Sequence, residues 1–253
     1  MPFIPKKSLG QNFLNNDLLL QKIANALQVK SGDIVVEVGP GEGSLTRHLL
    51  DLQASKIIAV EKDRRLIARL RARFSDPRLT IIEGDALDII PALDIKKFKL
   101  IGNIPYYITG HLLRVIGGLS NRPTTSVFVV QKEVAERATA KPPKNNILAL
   151  SLQFWSSPEF LGTIKRENFR PVPKVDSAIL RLNAIELPDI SPEKYFSALR
   201  LLFAHPRKTI LNNLSSSLPK EEATRLLEAL GLSPSLRPEN LSLGEVIKIA
   251  GEI

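Results

Sequence analysis

The sequence predicts an α/β protein: a mostly parallel sheet of seven strands with helices on its faces, followed by a small all-helical C-terminal domain. Three observations predict it. Five short β-branched runs alternate with helix-like segments over residues 33–140, the pattern of a parallel sheet covered on both faces. The first of these runs empties into a glycine loop. Beyond residue 190 the strand signal stops, and helix start and stop signals take over.

Composition bounds the rest. The chain has 253 residues, of which 43% are hydrophobic, enough to bury the core of one large domain and a small one. It has no cysteine, which excludes disulfides, thiol nucleophiles and thiolate metal sites and fits a reducing compartment. No apolar run follows the basic residues at the N-terminus, so no signal peptide is expected, and none is long enough to span a bilayer. The expectations are a cytoplasmic monomer with no membrane partner and no metal. The net charge is +9, almost all of it within residues 1–190, which suits a polyanion such as RNA.

In chain order, residues 17–27 predict a helix capped by Asp17, with Gln11 and Asn12 in the turn before it. Residues 33–38 predict a strand that runs into Gly39-Pro40-Gly41-Glu42-Gly43, then a helix over 44–50. Glycines let the backbone approach a ligand, and a helix N-terminus offers free N–H groups. The spacing G-x-G-x-G differs from the dinucleotide fingerprint, although a nicotinamide oxidoreductase remains a rival reading of this loop taken alone.

The second strand, 56–60, ends at Glu61. An acidic residue about 20 residues beyond the loop, at the tip of the second strand, can accept both hydroxyls of a ribose. A basic helix covers 64–74. The third strand, 79–82, leads to Asp85, placed to accept from the amine of a cofactor adenine. The fourth, 98–102, runs into Asn103-Ile104-Pro105-Tyr106. The Asn103 amide oxygen and the Ile104 carbonyl are two acceptors. Pro105 fixes its own φ and biases Ile104 away from the helical region. Tyr106 offers a face for stacking. Two acceptors and a stacking face suit an adenine, whose N6 amine donates.

A helix over 112–119, a fifth strand over 126–130 and a helix over 133–140 follow. Residues 148–155 and 177–182 then predict two further strands. The loop between them holds Phe169, Arg170, Pro171, Pro173 and Lys174; Phe169 reads either as core packing or as a second stacking face opposite Tyr106. After residue 191 come a helix begun by Pro192, a break at His205-Pro206, a helix over 219–230 ended by Gly231, and a last helix behind the capping box Ser242/Glu245. The boundary falls near residues 186–189, giving domains 1–187 and 188–253.

Together these motifs resemble the ribosomal RNA adenine N6-dimethyltransferase family of class I, Rossmann-like methyltransferases. The resemblance runs nearly the full length. Gln-Asn-Phe-Leu at 11–14, Glu-Val-Gly-Pro-Gly-Glu-Gly at 37–43, Glu-Lys-Asp at 61–63, Gly-Asp-Ala at 84–86, Asn-Ile-Pro-Tyr at 103–106, the stretch 130–137, Phe-Arg-Pro-Val-Pro-Lys-Val-Asp-Ser at 169–177 and Arg-Lys-Thr at 207–209 carry it. It implies S-adenosylmethionine as cofactor and S-adenosylhomocysteine as product. Asn12, Leu14, Gly39, Gly41, Glu61, Asp85 and Asn103 would hold the cofactor. Asn103, Ile104, Pro105, Tyr106 and Phe169 would form the target-base site.

The C-terminal part resembles the branch of the family that acts on small-subunit (16S) rRNA. That implies N6,N6-dimethylation of two adjacent adenosines late in subunit biogenesis, with the immature small subunit as partner. The alternatives are the large-subunit, macrolide-resistance branch and a mainly non-catalytic assembly factor. Lys6, Lys7, Arg170, Lys174, Arg207 and Lys208 are candidate phosphate contacts. One departure from the family is Ile147-Leu148, after Lys144-Asn145-Asn146, in place of the usual Tyr-Gly.

Overall fold

The computed structural model describes residues 10–253. Lys6 and Lys7 lie outside the described residues. The chain forms two compact units: residues up to Ala135 with Glu159–Ala184, and Glu136–Pro158 with Ile185–Ile253. Residues 136–158, expected in the first domain, group instead with the C-terminal helices.

The first unit is organised by a seven-stranded sheet. Its strands are β2 (Ile34–Val38), β3 (Lys56–Glu61), β4 (Leu79–Glu83), β5 (Lys99–Asn103), β6 (Thr125–Gln131), β7 (Ser156–Ile164) and β9 (Ser177–Ala184), in the spatial order β4-β3-β2-β5-β6-β9-β7. The first five pair in parallel, and β9 runs antiparallel to β6. β2, β5 and β6 are buried almost throughout, as strands covered on both faces must be. The strand order reverses beside β2. The crevice outside the carboxyl ends of β2 and β5 is therefore where an open α/β sheet takes a ligand.

Helices α1 (Asp17–Ala26), α2 (Ser44–Leu50), α3 (Arg64–Arg73), α4 (Ala86–Ala92), α5 (Thr109–Gly118) and α6 (Lys132–Ala138) alternate with these strands. α1 is capped by Asn16, whose side chain accepts from the Leu19 N–H; Asp17, expected as the cap, is its first residue. β1 (Phe13–Leu14) pairs antiparallel with β8 (Phe169–Arg170) in a separate two-stranded ladder. That ladder fixes the N-terminal motif and the proline loop to each other.

Residues 148–155, expected as a strand, are largely helix: α7 spans Ile147–Gln153, and the strand β7 starts only at Ser156. The cause is Asn146. Its side-chain oxygen accepts from the Leu148 and Ala149 N–H groups at 3.0 and 3.1 Å, an N-cap that commits the apolar run to a helix. The neighbouring Asn145 is buried. It donates from Nδ2 to the Leu241 carbonyl at 2.8 Å and from its backbone N–H to the Glu239 carbonyl at 2.9 Å. Asn145 and Asn146, just ahead of the departure at Ile147-Leu148, thus supply a tie and a cap within the helical unit.

In that unit α8 (Pro192–Leu202), α9 (Ile210–Leu214), α10 (Lys220–Ala229) and α11 (Leu243–Glu252) follow in turn. Phe154 stacks on Tyr195 with centroids 4.2 Å apart, and the Tyr195 hydroxyl donates to the Leu150 carbonyl at 2.9 Å. Asn213, fully buried, ties down the break before α9 by donating to the His205 and Thr209 carbonyls, both at 3.1 Å. The expected Ser242/Glu245 capping box opens α11.

Candidate active site

One cleft of the first unit gathers the tips of β2, β3, β4 and β5. Asn12, Leu14, Gly39, Gly41, Glu61, Asp85, Asn103, Ile104, Pro105 and Tyr106 all line it. Five separate sequence motifs contribute these residues: the parallel sheet brings four of them to the same edge, and Asn12 and Leu14 arrive from the segment that carries β1. Phe169 is the exception. It is fully buried and packs in the core with Leu14, Leu20 and Ile23, so it presents no stacking face to the cleft. The ladder partner Leu14 holds it there: β8 is short, and its inward position is the aromatic one.

The glycine loop makes room for chain as well as ligand. Gly41 has φ of +62°, and a Cβ there would lie 2.8 Å from the Phe13 ring. The ring of Phe13, also on the cleft wall, therefore rests against the loop. Gly102 is needed for a different reason: a Cβ would come within 2.6 Å of the Val38 carbonyl, so only glycine lets β5 deliver Asn103 beside the tip of β2.

Glu61 is 7% exposed, and both its oxygens are already engaged. Oε2 accepts from the Gly41 N–H at 3.1 Å and Oε1 from the Asp63 N–H at 2.8 Å. Burial raises its pKa above the ordinary carboxylate value, against these hydrogen bonds. Each carboxylate oxygen keeps a second acceptor site for a hydroxyl. Asp63 is held down at about 2, chiefly by its hydrogen bond to Arg65, and also receives Gln11 Nε2 at 3.1 Å. Asp85 does two jobs that sequence did not assign it. It caps α4 through the Leu87 N–H and pairs with Lys62 Nζ at 2.7 Å, which lowers its pKa.

At the tip of β5, Asn103 Nδ2 donates to the Asn12 carbonyl at 2.9 Å. That bond assigns the amide's orientation and leaves Oδ1 as its acceptor. The Tyr106 hydroxyl lies 2.6 Å from Ser177 Oγ on β9, which fixes the ring at the cleft wall. Burial raises its pKa, so it stays a neutral phenol.

Sequence reasoning missed Glu37 as a site group. It is 1% exposed at the cleft wall; Thr46 Oγ1 donates to its Oε2 at 2.7 Å, and its Oε1 has no hydrogen-bond partner among the described residues. The signal was present: a carboxylate inside an apolar parallel strand is rarely structural. Lys62 and Tyr107, 64% exposed, also line the cleft. Arg170, Lys174, Arg207 and Lys208 are exposed, and Arg170 Nη1 donates to the Glu167 and Phe169 carbonyls.

Chemically, the cleft offers carboxylate acceptors for hydroxyls and an amine, an open glycine floor where a Cβ at Gly39 would meet nothing within 4 Å, and apolar walls. These residues fit an adenosyl group. Beside them the β5 tip offers neutral acceptors and an aromatic ring. Among the described residues no cluster of His, Asp and Glu is arranged to hold a metal ion, and no helix is long and apolar enough to cross a membrane.

A family model described as "Ribosomal RNA adenine dimethylase" matches residues 3–253. The chain is 41% identical to ribosomal RNA small subunit methyltransferase A of Laribacter hongkongensis, over 98% of this chain and 95% of that one. It is 38% identical to the protein of the same name from Mycoplasma mycoides, over 96% of each. Among solved structures, a dimethyladenosine transferase from Plasmodium falciparum superposes with a TM-score of 0.81 at 29% identity, covering 94% of this chain and 95% of that one. The 23S rRNA methyltransferase ErmE does so with 0.78 at 27%, covering 94% and 98%.

Proposed function

The chain belongs to the ribosomal RNA adenine dimethylase family, and on that footing we propose that it transfers methyl groups from S-adenosylmethionine to the N6 of two adjacent adenosines in small-subunit rRNA. The single observation that carries the reading is the tether of Asn103. With Nδ2 committed to the Asn12 carbonyl, the side chain can meet an exocyclic amine only with its oxygen.

Gly39, Gly41, Glu61, Asp85, Asn12 and Leu14 are the residues that would hold the cofactor, Glu61 by the ribose hydroxyls and Asp85 by the adenine amine. When bound, S-adenosylmethionine supplies an electrophilic methyl group on a positively charged sulfur. The rest is done by the chain. An adenine N6 lone pair is delocalised into its ring. Asn103 Oδ1 and the Ile104 carbonyl accept its N–H bonds, which favours a pyramidal nitrogen and aims the lone pair. Pro105 holds the Ile104 carbonyl in one direction, and Tyr106 stacks the base. Positioning of this kind supplies about 7–11 kcal/mol of a barrier. Once the nitrogen carries positive charge its proton leaves to solvent, so no dedicated base is required. The amine edge is reachable only in a base out of its stack, which suits a splayed RNA strand.

The catalytic assignment falls on residues 1–187 and RNA recognition on residues 188–253. Arg170, Lys174, Arg207 and Lys208 contact phosphate. The protein works as a cytoplasmic monomer. The test is transfer of tritiated methyl groups from S-adenosylmethionine onto purified, unmethylated small and large subunits, with the modified base identified. Label in N6,N6-dimethyladenosine of the small subunit is expected; label only in the large subunit overturns the reading.

A further inference from the structure

Phe169 is buried, so the exposed ring at the mouth of the cleft is a different one, Tyr107. Tyr106 and Tyr107 open a short 3-10 helix, Tyr106–Ile108, in which successive side chains leave the axis about 120° apart. Two tyrosines whose Cα atoms are about 3.8 Å apart therefore face different ways. Tyr106 turns to the wall, half-buried and bonded to Ser177. Tyr107 lines the same cleft yet is 64% exposed, more than any other Phe, Tyr or Trp among the described residues.

The chain backs this ring without covering it. A Cβ on Gly10, whose φ is +59°, would lie 3.2 Å from the Tyr107 ring carbons Cδ1 and Cε1, and as close to Pro105 Cβ. Glycine lets the turn before β1 rest against one side of the ring. Directly after the 3-10 helix, α5 presents His111 and Arg114, both exposed and three residues apart on one helix face. Arg114 has no ion-pair partner among the described residues, whereas Arg64, Arg65, Arg69 and Arg78 each pair with a carboxylate. An open aromatic ring followed by an unneutralised cation is the chemistry that takes single-stranded nucleic acid.

Turning a target adenine out of its stack strips the adjoining base of a partner. Building on the methyltransfer reading, we infer that Tyr107 is a positioning residue for RNA: Tyr106 stacks the adenine in the slot, and Tyr107 stacks the adjacent nucleotide at the mouth. Consecutive rings thus take consecutive bases, which suits a reaction on two adjacent adenosines. The base on Tyr107 is not read by its edge, because every base has a face to stack. Tyr107 therefore adds affinity for the strand and keeps the second adenosine close while the first is modified.

The experiment compares Tyr107→Ala, Tyr107→Phe and Tyr107→Trp in the full-length protein, with purified, unmethylated small subunits as the probe. Tyr107→Ala should raise the KM for subunits about tenfold, and their Kd in the presence of S-adenosylhomocysteine by the same factor. Its kcat, its Kd for S-adenosylmethionine and its thermal midpoint should stay close to those of the unmodified protein, since the side chain stands mostly in solvent. Tyr107→Phe and Tyr107→Trp should bind subunits normally, because both keep a stacking face. An unchanged subunit KM in Tyr107→Ala overturns this inference and leaves methyl transfer standing. So does a parallel loss of cofactor affinity, which would make the ring a cover for the cofactor. A Tyr107→Phe variant as weak as Tyr107→Ala also overturns it, because the hydroxyl would then be the contact. An unmodified protein that methylates no small subunit overturns the methyltransfer reading, and this inference with it.

Discussion

The two halves of the cleft differ in kind. The tips of β2, β3 and β4 bring carboxyl groups: Glu37, Glu61 and Asp85. The tip of β5 brings a side-chain amide, a peptide carbonyl and an aromatic ring. The carboxyl half has charges whose protonation depends on surroundings, and burial shifts two of them upward. The β5 half has acceptors that do not titrate, held by bonds to Asn12 and Ser177. The contrast suits two tasks. Gripping a charged cofactor calls for carboxylates that respond to charge. Aligning a weakly nucleophilic amine calls for fixed, neutral acceptors that do not take its protons before the methyl arrives.

The largest expected effect lies outside both halves and serves as a control. Phe169→Ala should lower stability by about 3–5 kcal/mol, read as a fall in thermal midpoint, because it empties a fully buried core position. A variant of native stability with lost activity would return Phe169 to the base site. Next, Asn103→Ala should reduce the rate of methyl transfer about 10²–10³-fold, the scale for one preorganised polar contact to the reacting group, with a much smaller change in cofactor Kd. Equal losses in both would mean the halves are not separable. Glu61→Gln should do the opposite. Losing charge-assisted hydrogen bonds worth about 1.5–3 kcal/mol, it should weaken cofactor binding while leaving the KM for RNA nearly unchanged in steady-state assays.

Smaller again, Tyr106→Phe removes only the bond to Ser177 and should cost about 1 kcal/mol in chemical denaturation, while Tyr106→Ala also loses the stacking face and should be far less active. Arg170→Ala should leave both halves intact. It should weaken RNA binding modestly and lower the slope of log affinity against log salt by about one; an unchanged slope would remove Arg170 from the phosphate contacts.

Much of this was legible beforehand because the relevant physics is local. A strand, a glycine loop and an acid 20 residues on read as a nucleotide-binding turn, and in the structure loop and acid line one cleft, where the Gly41 N–H donates to Glu61. Asn103-Ile104-Pro105-Tyr106 announced a strand end with two acceptors, and it lines the cleft. What sequence misread depends on the third dimension. An apolar run such as 147–154 serves a strand or a helix equally, and only the Asn146 cap decides it. Phe169 in a polar loop looks available, yet a two-residue ladder to Leu14 turns it inward. Asp85 resembled a free acceptor, but Lys62 is a close partner that only the fold reveals.

The grouping of residues 136–158 with the C-terminal helices has a consequence for how the chain is made. During synthesis those residues emerge well before their partners: Phe154 must wait for Tyr195, and Asn145 for the carbonyls of Glu239 and Leu241. Until α8 has left the exit tunnel, the α7 residues that pack against it lack that cover. A gene truncated after residue 187 would therefore not yield a tidy catalytic fragment but a sticky one, prone to clump as it is made.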